Sequence, residues 1–195
     1  IGFPMSNYRN RVDLYNHVLC YAQRPMVQTW TEELMRTTEL PSGQEVIVAI
    51  CCYTGYNQED SLLFNRASID RGLFRSVLYR TYKDEEKGKS ADCETFSVVD
   101  PQRCLKVRKA NYSKIDPRDG IIYVGQNVDY NDVIVGKVMT TTELNTDGQQ
   151  HIVQRDRSMM LKNNEHGVID KVFLTTTADG QRTVRVRTST TRTPQ

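Results

Sequence analysis

Glu59 and Asp60 stand side by side at the end of a polar stretch, Thr54-Gly55-Tyr56-Asn57-Gln58-Glu59-Asp60. The apolar run Val46-Ile47-Val48-Ala49-Ile50-Cys51-Cys52 precedes it and Leu62-Leu63-Phe64 follows. Neighbouring carboxylates are hard oxygen donors, the groups that hold Mg2+ together with phosphate oxygens. Such a pair is nevertheless most often a solvated loop, so spacing alone assigns no chemistry. In extended backbone adjacent side chains point to opposite faces, which makes Glu59 and Asp60 unequal partners for any one ligand.

The elements around the pair carry the next inference. Val46–Cys52 is rich in β-branched residues, too short for a typical helix, and suits a strand buried on both faces. Cys51 and Cys52 then read as buried small hydrophobes. A polar loop pinned between two buried segments is held rigidly, as a site requires. Tyr56, with an apolar body and a polar tip, is expected to position that loop by packing, along with Gly55. Ser68-Ile69-Asp70-Arg71-Gly72 reads as a turn or short helix stopped by its glycine, and places Arg71 close after the loop.

Earlier in the chain, Val18–Tyr21 reads as a short extended piece ended by Arg24-Pro25. Thr31 before Glu32-Glu33 reads as a helix start, and Leu40-Pro41-Ser42-Gly43 as a turn. From Phe74 onward the pattern changes. A charged, loop-like stretch, Lys83 to Lys89, is followed by short strand candidates at Leu105–Arg108, Ile121–Val124, Val133–Val138, Val168–Leu174 and Thr183–Arg187, separated by Gly, Asp and Asn turns. The fold class expected is mixed α/β to mainly β, with residues 1–75 mixed and residues 76–195 an irregular β domain. As a strand, 183–187 puts Arg185 and Arg187 on one face with Thr183, and Val184 and Val186 on the other. That face is either a ridge toward phosphates or an ordinary solvated surface.

Composition narrows the classes. The 195 residues carry a net charge of +2, which announces no nucleic-acid binder by itself. Seven basic and eight acidic residues fall in 1–75, whereas the last fifteen residues hold four Arg and no acid. The five cysteines include no C-x-x-C pair and the three histidines no cluster, so no structural zinc is assigned and a reducing compartment fits best. No apolar stretch has the length of a membrane helix. Ile1-Gly2-Phe3-Pro4 shows neither an initiator Met nor a signal pattern, and the chain is expected to begin inside a larger protein.

Gly55-Tyr56-Asn57-Gln58-Glu59-Asp60-Ser61 followed by Ser68-Ile69-Asp70-Arg71-Gly72-Leu73-Phe74-Arg75-Ser76 resembles the second-largest subunit of eukaryotic RNA polymerase II. Weaker similarity covers the rest in order: Asn7-Tyr8, Gln23-Arg24-Pro25, Leu40-Pro41-Ser42-Gly43-Gln44, Asp132-Val133-Ile134-Val135-Gly136-Lys137 and Val184-Arg185-Val186-Arg187-Thr188. The family's Gly-Asp-Lys segment with active-site lysines would follow Pro194-Gln195.

The resemblance implies the first part of a hybrid-binding domain with a metal loop at 1–75 and a wall, or flap, at 76–195. It implies template-directed ribonucleotide addition as part of a nucleotidyltransferase, with no activity in this piece alone. Mg2+ is the implied cofactor, with Asp60 the nearer ligand, directly or through water, and Glu59 adding negative field. Arg71, Arg185 and Arg187 would contact nucleic acid or, for Arg71, brace the loop through a carboxylate. Implied partners are the largest and other polymerase subunits, the DNA template and RNA–DNA hybrid, ribonucleoside triphosphates and general transcription factors, with no membrane. The implied location is the nucleus, or the cytoplasm or virion for a viral relative. The other reading is a non-catalytic scaffold that docks factors in the same enzyme.

Overall fold

The computed structural model describes residues 5–88, 92–144 and 150–195. The chain divides into two compact units, residues 1–79 with 190–195, and residues 80–189.

The first unit holds little regular structure. Strand β1 (Tyr15–Leu19) is followed by Cys20, whose amide donates to the Arg75 carbonyl at 3.0 Å. Helix α1 (Trp30–Met35) is capped two residues before the expected Thr31. Thr29 is its N-cap, because Thr29 and Glu32 satisfy each other's backbone amides, the Glu32 amide donating to the Thr29 hydroxyl at 3.3 Å and the Thr29 amide to Glu32 Oε2 at 2.7 Å. Arg36 ends it in the left-handed region. Helix α2 (Arg66–Arg71) is capped by Asn65 and stops at Gly72, φ 115°. A Cβ at Gly72 would lie 2.5 Å from the Tyr21 ring.

The expected buried strand at Val46–Cys52 is not formed. Ile47 is 104% and Ile50 100% exposed, Cys51 and Cys52 are exposed as well, and the run has no regular structure. The flank Leu62-Leu63-Phe64 is also exposed. A strand needs a neighbour's amides and carbonyls as well as apolar side chains, and no described strand lies alongside this run. The apolar pattern recorded a demand for cover without recording what meets it.

The second unit is β throughout and contains the buried core. β2 (Ser76–Glu85) leads into it and includes Lys83–Glu85, expected as loop. β3 (Cys93–Phe96), β4 (Cys104–Leu105) and β5 (Asn127–Val128) are short. The expected strand Val133–Val138 is two, β6 (Val133–Val135) and β7 (Lys137–Leu144), parted at Gly136. β8 (Gln150–Asp156), β9 (Met159–Met160), β10 (Gly167–Thr176) and β11 (Arg182–Arg192) complete the set. Leu105–Arg108 ends early because Lys106 turns left-handed, φ 57°, and Ile121–Val124 makes only isolated bridges.

One sheet has the order β2-β11-β10-β5, with β10 and β11 antiparallel, and a second runs β3-β7-β8-β4. Val133, Ile134, Val184 and Val186 are wholly enclosed and Ile169 nearly so, packed with Phe96, Ile115 and Leu161 into one cluster. The observed class is mainly β with two short α-helices among the described residues.

Candidate functional site

The loop from Tyr53 to Ser61 is built from turns and three left-handed residues, Thr54 (φ 60°), Gly55 (φ 76°) and Glu59 (φ 59°). Glycine suits that region, and Thr and Glu are disfavoured there because Cβ crowds the backbone. Left-handed backbone at Glu59 removes the extended geometry on which opposite-face alternation of Glu59 and Asp60 rested. Both carboxylates are exposed and make no hydrogen bond or ion pair with a described residue. Tyr56 is 79% exposed, so packing of its ring is not what positions the loop here.

Asn57 does what Tyr56 was expected to do. Its Nδ2 donates to the Cys51 carbonyl at 2.7 Å, and its Oδ1 accepts from the Tyr53 amide at 2.9 Å. A single turn bond, Ser61 amide to Gln58 carbonyl at 3.3 Å, closes the far side. The sequence signal was an Asn in a Gly-containing turn, a residue that commonly bonds nearby backbone. Gln44 plays a similar part nearby: Nε2 donates to the Tyr21 carbonyl and Oε1 accepts from the Phe74 amide, both at 2.8 Å.

Arg71 is exposed at the last turn of α2 and makes no ion pair with a described residue, so the loop-bracing contact is not formed. Its neighbour Asp70 pairs with Arg66 at 3.1 Å along the helix. The other two arginines lie in the second unit. Arg185 is half-buried. Arg187 is 2% exposed, and its Nε donates to Asp170 at 2.7 Å, so it lies on neither a solvated face nor an open ridge. Thr183, Val184, Val186 and Thr188 around it are also buried, which covers both faces of β11.

Other charges of the second unit are committed to structure. Lys137 Nζ donates to Asp84 at 2.8 Å and Glu94 at 2.9 Å. Burial alone would lower its pKa, and these two carboxylates together outweigh burial and raise it. Burial likewise pushes on Asp132, but Lys114, the Asp129 amide and Asn111 hold its carboxyl below the usual range. Burial and the hydrogen bond to Asp156 push the Tyr112 phenol up to about 12.

As donors, Glu59 and Asp60 fit Mg2+, a hard cation served by carboxylate oxygens. They make only part of a coordination shell: no group of three or more His, Cys, Asp or Glu able to hold a metal occurs among the described residues. The arrangement suits an ion that brings other ligands with it. No described helix is long and apolar enough to cross a membrane.

Comparison with known proteins follows the same residues. The family model described as RNA polymerase Rpb2, domain 6, matches residues 1–195. The chain is 43% identical over 200 residues to the DNA-directed RNA polymerase II subunit RPB2 of Meyerozyma guilliermondii, covering all of this chain and 16% of that protein. It is 38% identical over 196 residues to a probable RPB2 homologue of Invertebrate iridescent virus 3, again all of this chain and 16% of that protein. It is 34% identical over 197 residues to the RNA polymerase subunit Rpo2 of Saccharolobus solfataricus, all of this chain and 17% of that protein. The chain thus spans about a sixth of the length of the curated relatives it matches. Matched from end to end by that model and by these relatives, the chain belongs to the RNA polymerase Rpb2 domain 6 family, that of the second-largest polymerase subunit.

Proposed function

We propose that this chain works as part of the catalytic core of a DNA-directed RNA polymerase, with Asp60 contributing a carboxylate to the Mg2+ that accompanies the incoming triphosphate. The observation that carries this is the exposed, unpartnered Glu59-Asp60 pair, in a chain matched throughout by an RNA polymerase family model. When bound, the metal would supply charge stabilisation for the attacking and leaving oxygens of nucleotidyl transfer. Asp60 would supply one hard oxygen ligand, directly or through water. Glu59 would supply negative field, or a hydrogen bond to metal-bound water. One or two carboxylates hold Mg2+ weakly without phosphates, so this loop acts when substrate is present.

In the same proposal, exposed Arg71 and half-buried Arg185 face phosphates of the RNA–DNA hybrid, and Arg187 braces the sheet beneath. The β unit forms a wall for the hybrid and a dock for general transcription factors. The partners are the largest and other polymerase subunits, and the site of action is the nucleus, or the cytoplasm or virion for a viral enzyme.

The test is Asp60→Asn in the whole polymerase, which removes charge and nearly preserves shape. Single-nucleotide addition should slow, and a higher Mg2+ concentration should restore part of the rate. Normal addition at every Mg2+ level would leave this segment a scaffold without a metal role.

A further inference from the structure

We infer that Asn57 is the positioning residue of the acidic loop, and that its carboxamide sets the path on which Glu59 and Asp60 are presented. The inference rests on the metal reading above and adds to it a residue that touches neither metal nor substrate.

The hydrogen-bond pattern is that of a sheet neighbour, made here on backbone that bends at Cys51. In an extended segment the carbonyl of residue i and the amide of residue i+2 point to the same edge. In a parallel ladder one residue of the adjacent strand donates to the first and accepts from the second. Asn57 does both with a side chain, donating to the Cys51 carbonyl and accepting from the Tyr53 amide. It therefore clamps the backbone on either side of Cys52, directly after the bend at Cys51, and holds the entry to the turn at Tyr53. The chain must then turn back within the residues between Tyr53 and Asn57, and it does so through left-handed Thr54 and Gly55.

A non-glycine residue holds a left-handed conformation only where its surroundings over-determine it. At Thr54 the available restraint is the Asn57 clip, together with the Thr54 hydroxyl donating to the Tyr53 carbonyl at 2.6 Å. Asp60 follows three residues after Asn57, and Glu59 is itself left-handed. With the clip gone, Thr54 can relax to ordinary backbone, and the carboxylates then sample many positions. A ligand carboxylate that must first be ordered binds its ion less well by the fraction of time it is in place.

The test uses the whole polymerase with Asn57→Ala and Asn57→Asp. The Asp variant keeps the acceptor for the Tyr53 amide and sets an oxygen against the Cys51 carbonyl, so it breaks one half of the clip with almost no change of shape. Two readouts are taken. Hydrogen exchange of the peptide containing Tyr53 should speed up about tenfold in Asn57→Ala, the effect of losing one well-made bond and the order it imposes. In Asn57→Asp that amide should stay protected. The Mg2+ concentration for half-maximal single-nucleotide addition should rise in Asn57→Ala, and combining it with Asp60→Asn should add little to Asp60→Asn alone.

Multiplicative effects in the double variant, or unchanged Tyr53 exchange in Asn57→Ala, overturn the inference. Failure of the metal reading looks different: Asp60→Asn is then normal by itself, and the role given to Asn57 falls with it even if Tyr53 exchange responds.

Discussion

Asp170 is the extra residue of a bulge in β10, and its carboxylate meets the buried guanidinium of Arg187 on β11. The register passes from Ile169 opposite Thr188 to Lys171 opposite Arg187, which leaves Asp170 without a cross-strand partner. A bulge re-aims the side chain it carries, and here Nε of Arg187 donates to Asp170 at 2.7 Å. Arginine so enclosed is tolerated where a carboxylate compensates its charge.

Asp170→Ala should therefore destabilise the second unit by about 3 kcal/mol, the lower end of the cost of breaking a buried pair. Arg187→Met in the same background should recover part of the loss, because a long apolar chain fills the same space without a charge. Chemical denaturation of the single and double variants checks both signs.

Alkaline pH should weaken the second unit through two groups. Lys137 has a folded pKa raised above its ordinary value of 10.5, and Tyr112 one raised from 10.0 to about 12. In both cases the folded state binds protons more tightly. The associated stability is complete below the unfolded pKa and is lost as pH rises through the folded one. Melting temperature should fall from about pH 10 upward. Tyr112→Phe should delay the onset, and Lys137→Met should flatten the later part. Equal curves for wild type and both variants would refute the assignment.

Acid should act on the opposite side. Asp132 and Asp156 have folded pKa values below the ordinary 3.8 of an aspartate, so their contribution is present above that pH and lost as pH falls through the folded values. Asp132→Asn should be less stable at neutral pH and show a shallower decline below about pH 4, measured by thermal melts.

Gly136→Ala should disrupt the junction of β6 and β7. A Cβ there would lie 2.6 Å from the Ser97 carbonyl oxygen, and the Ser97 amide already donates to the Gly136 carbonyl at 3.1 Å. Backbone cannot swing aside as a side chain can, so a loss of about 1–3 kcal/mol is expected, the usual cost of overpacking. A melt unchanged within error would show that the neighbouring backbone yields.

The two units should differ in local stability. The enclosed cluster around Val133, Ile134, Val184 and Val186 lies wholly in the second unit, whereas Trp30, Ile47, Val48, Ile50 and Leu62 of the first are exposed. Few buried contacts mean low-energy opening. In the isolated chain, amides of 44–64 should exchange orders of magnitude faster than those of β10 and β11, and a hydrophobic dye should bind before any global unfolding. Equal protection in both segments would contradict this.

What the sequence disclosed followed the locality of each signal. The stop of α2 at Gly72, the strands at Val168–Leu174 and Thr183–Arg187 and the mainly β character come from patterns within a few residues, and the structure has them. Thr29 was missed as a cap because Thr31 also precedes acids, and only the reciprocal bonds with Glu32 choose between them. Val46–Cys52 failed for a different reason: a continuous apolar, β-branched run describes one strand, but pairing belongs to two. Arg187 was placed on an open face because period-2 reasoning sees one strand's sides and not the layers above them. The roles of Asn57 and Gln44 were hidden for a similar reason, since a carboxamide in a turn says that it will bond and leaves the partners unstated. The Glu59-Asp60 pair was visible, but the left-handed backbone at Glu59 was not.

The Gln44 contact with Phe74 closes residues 45–73 into a ring, with the Phe64 and Phe74 rings meeting edge-on at 6.2 Å inside it. Both ends of that excursion are held by one carboxamide, and its free length enters the folding free energy only through closure entropy. For a flexible segment, doubling the length adds about 0.6 kcal/mol. Insertions in the stretch between Leu62 and Asn65 should therefore cost little, whereas breakage of the Gln44 contact loosens the closure itself, which the Phe64–Phe74 contact and the Cys20–Arg75 bond then hold only in part. The economy of this region lies in its knot of closure rather than in the number of residues it encloses.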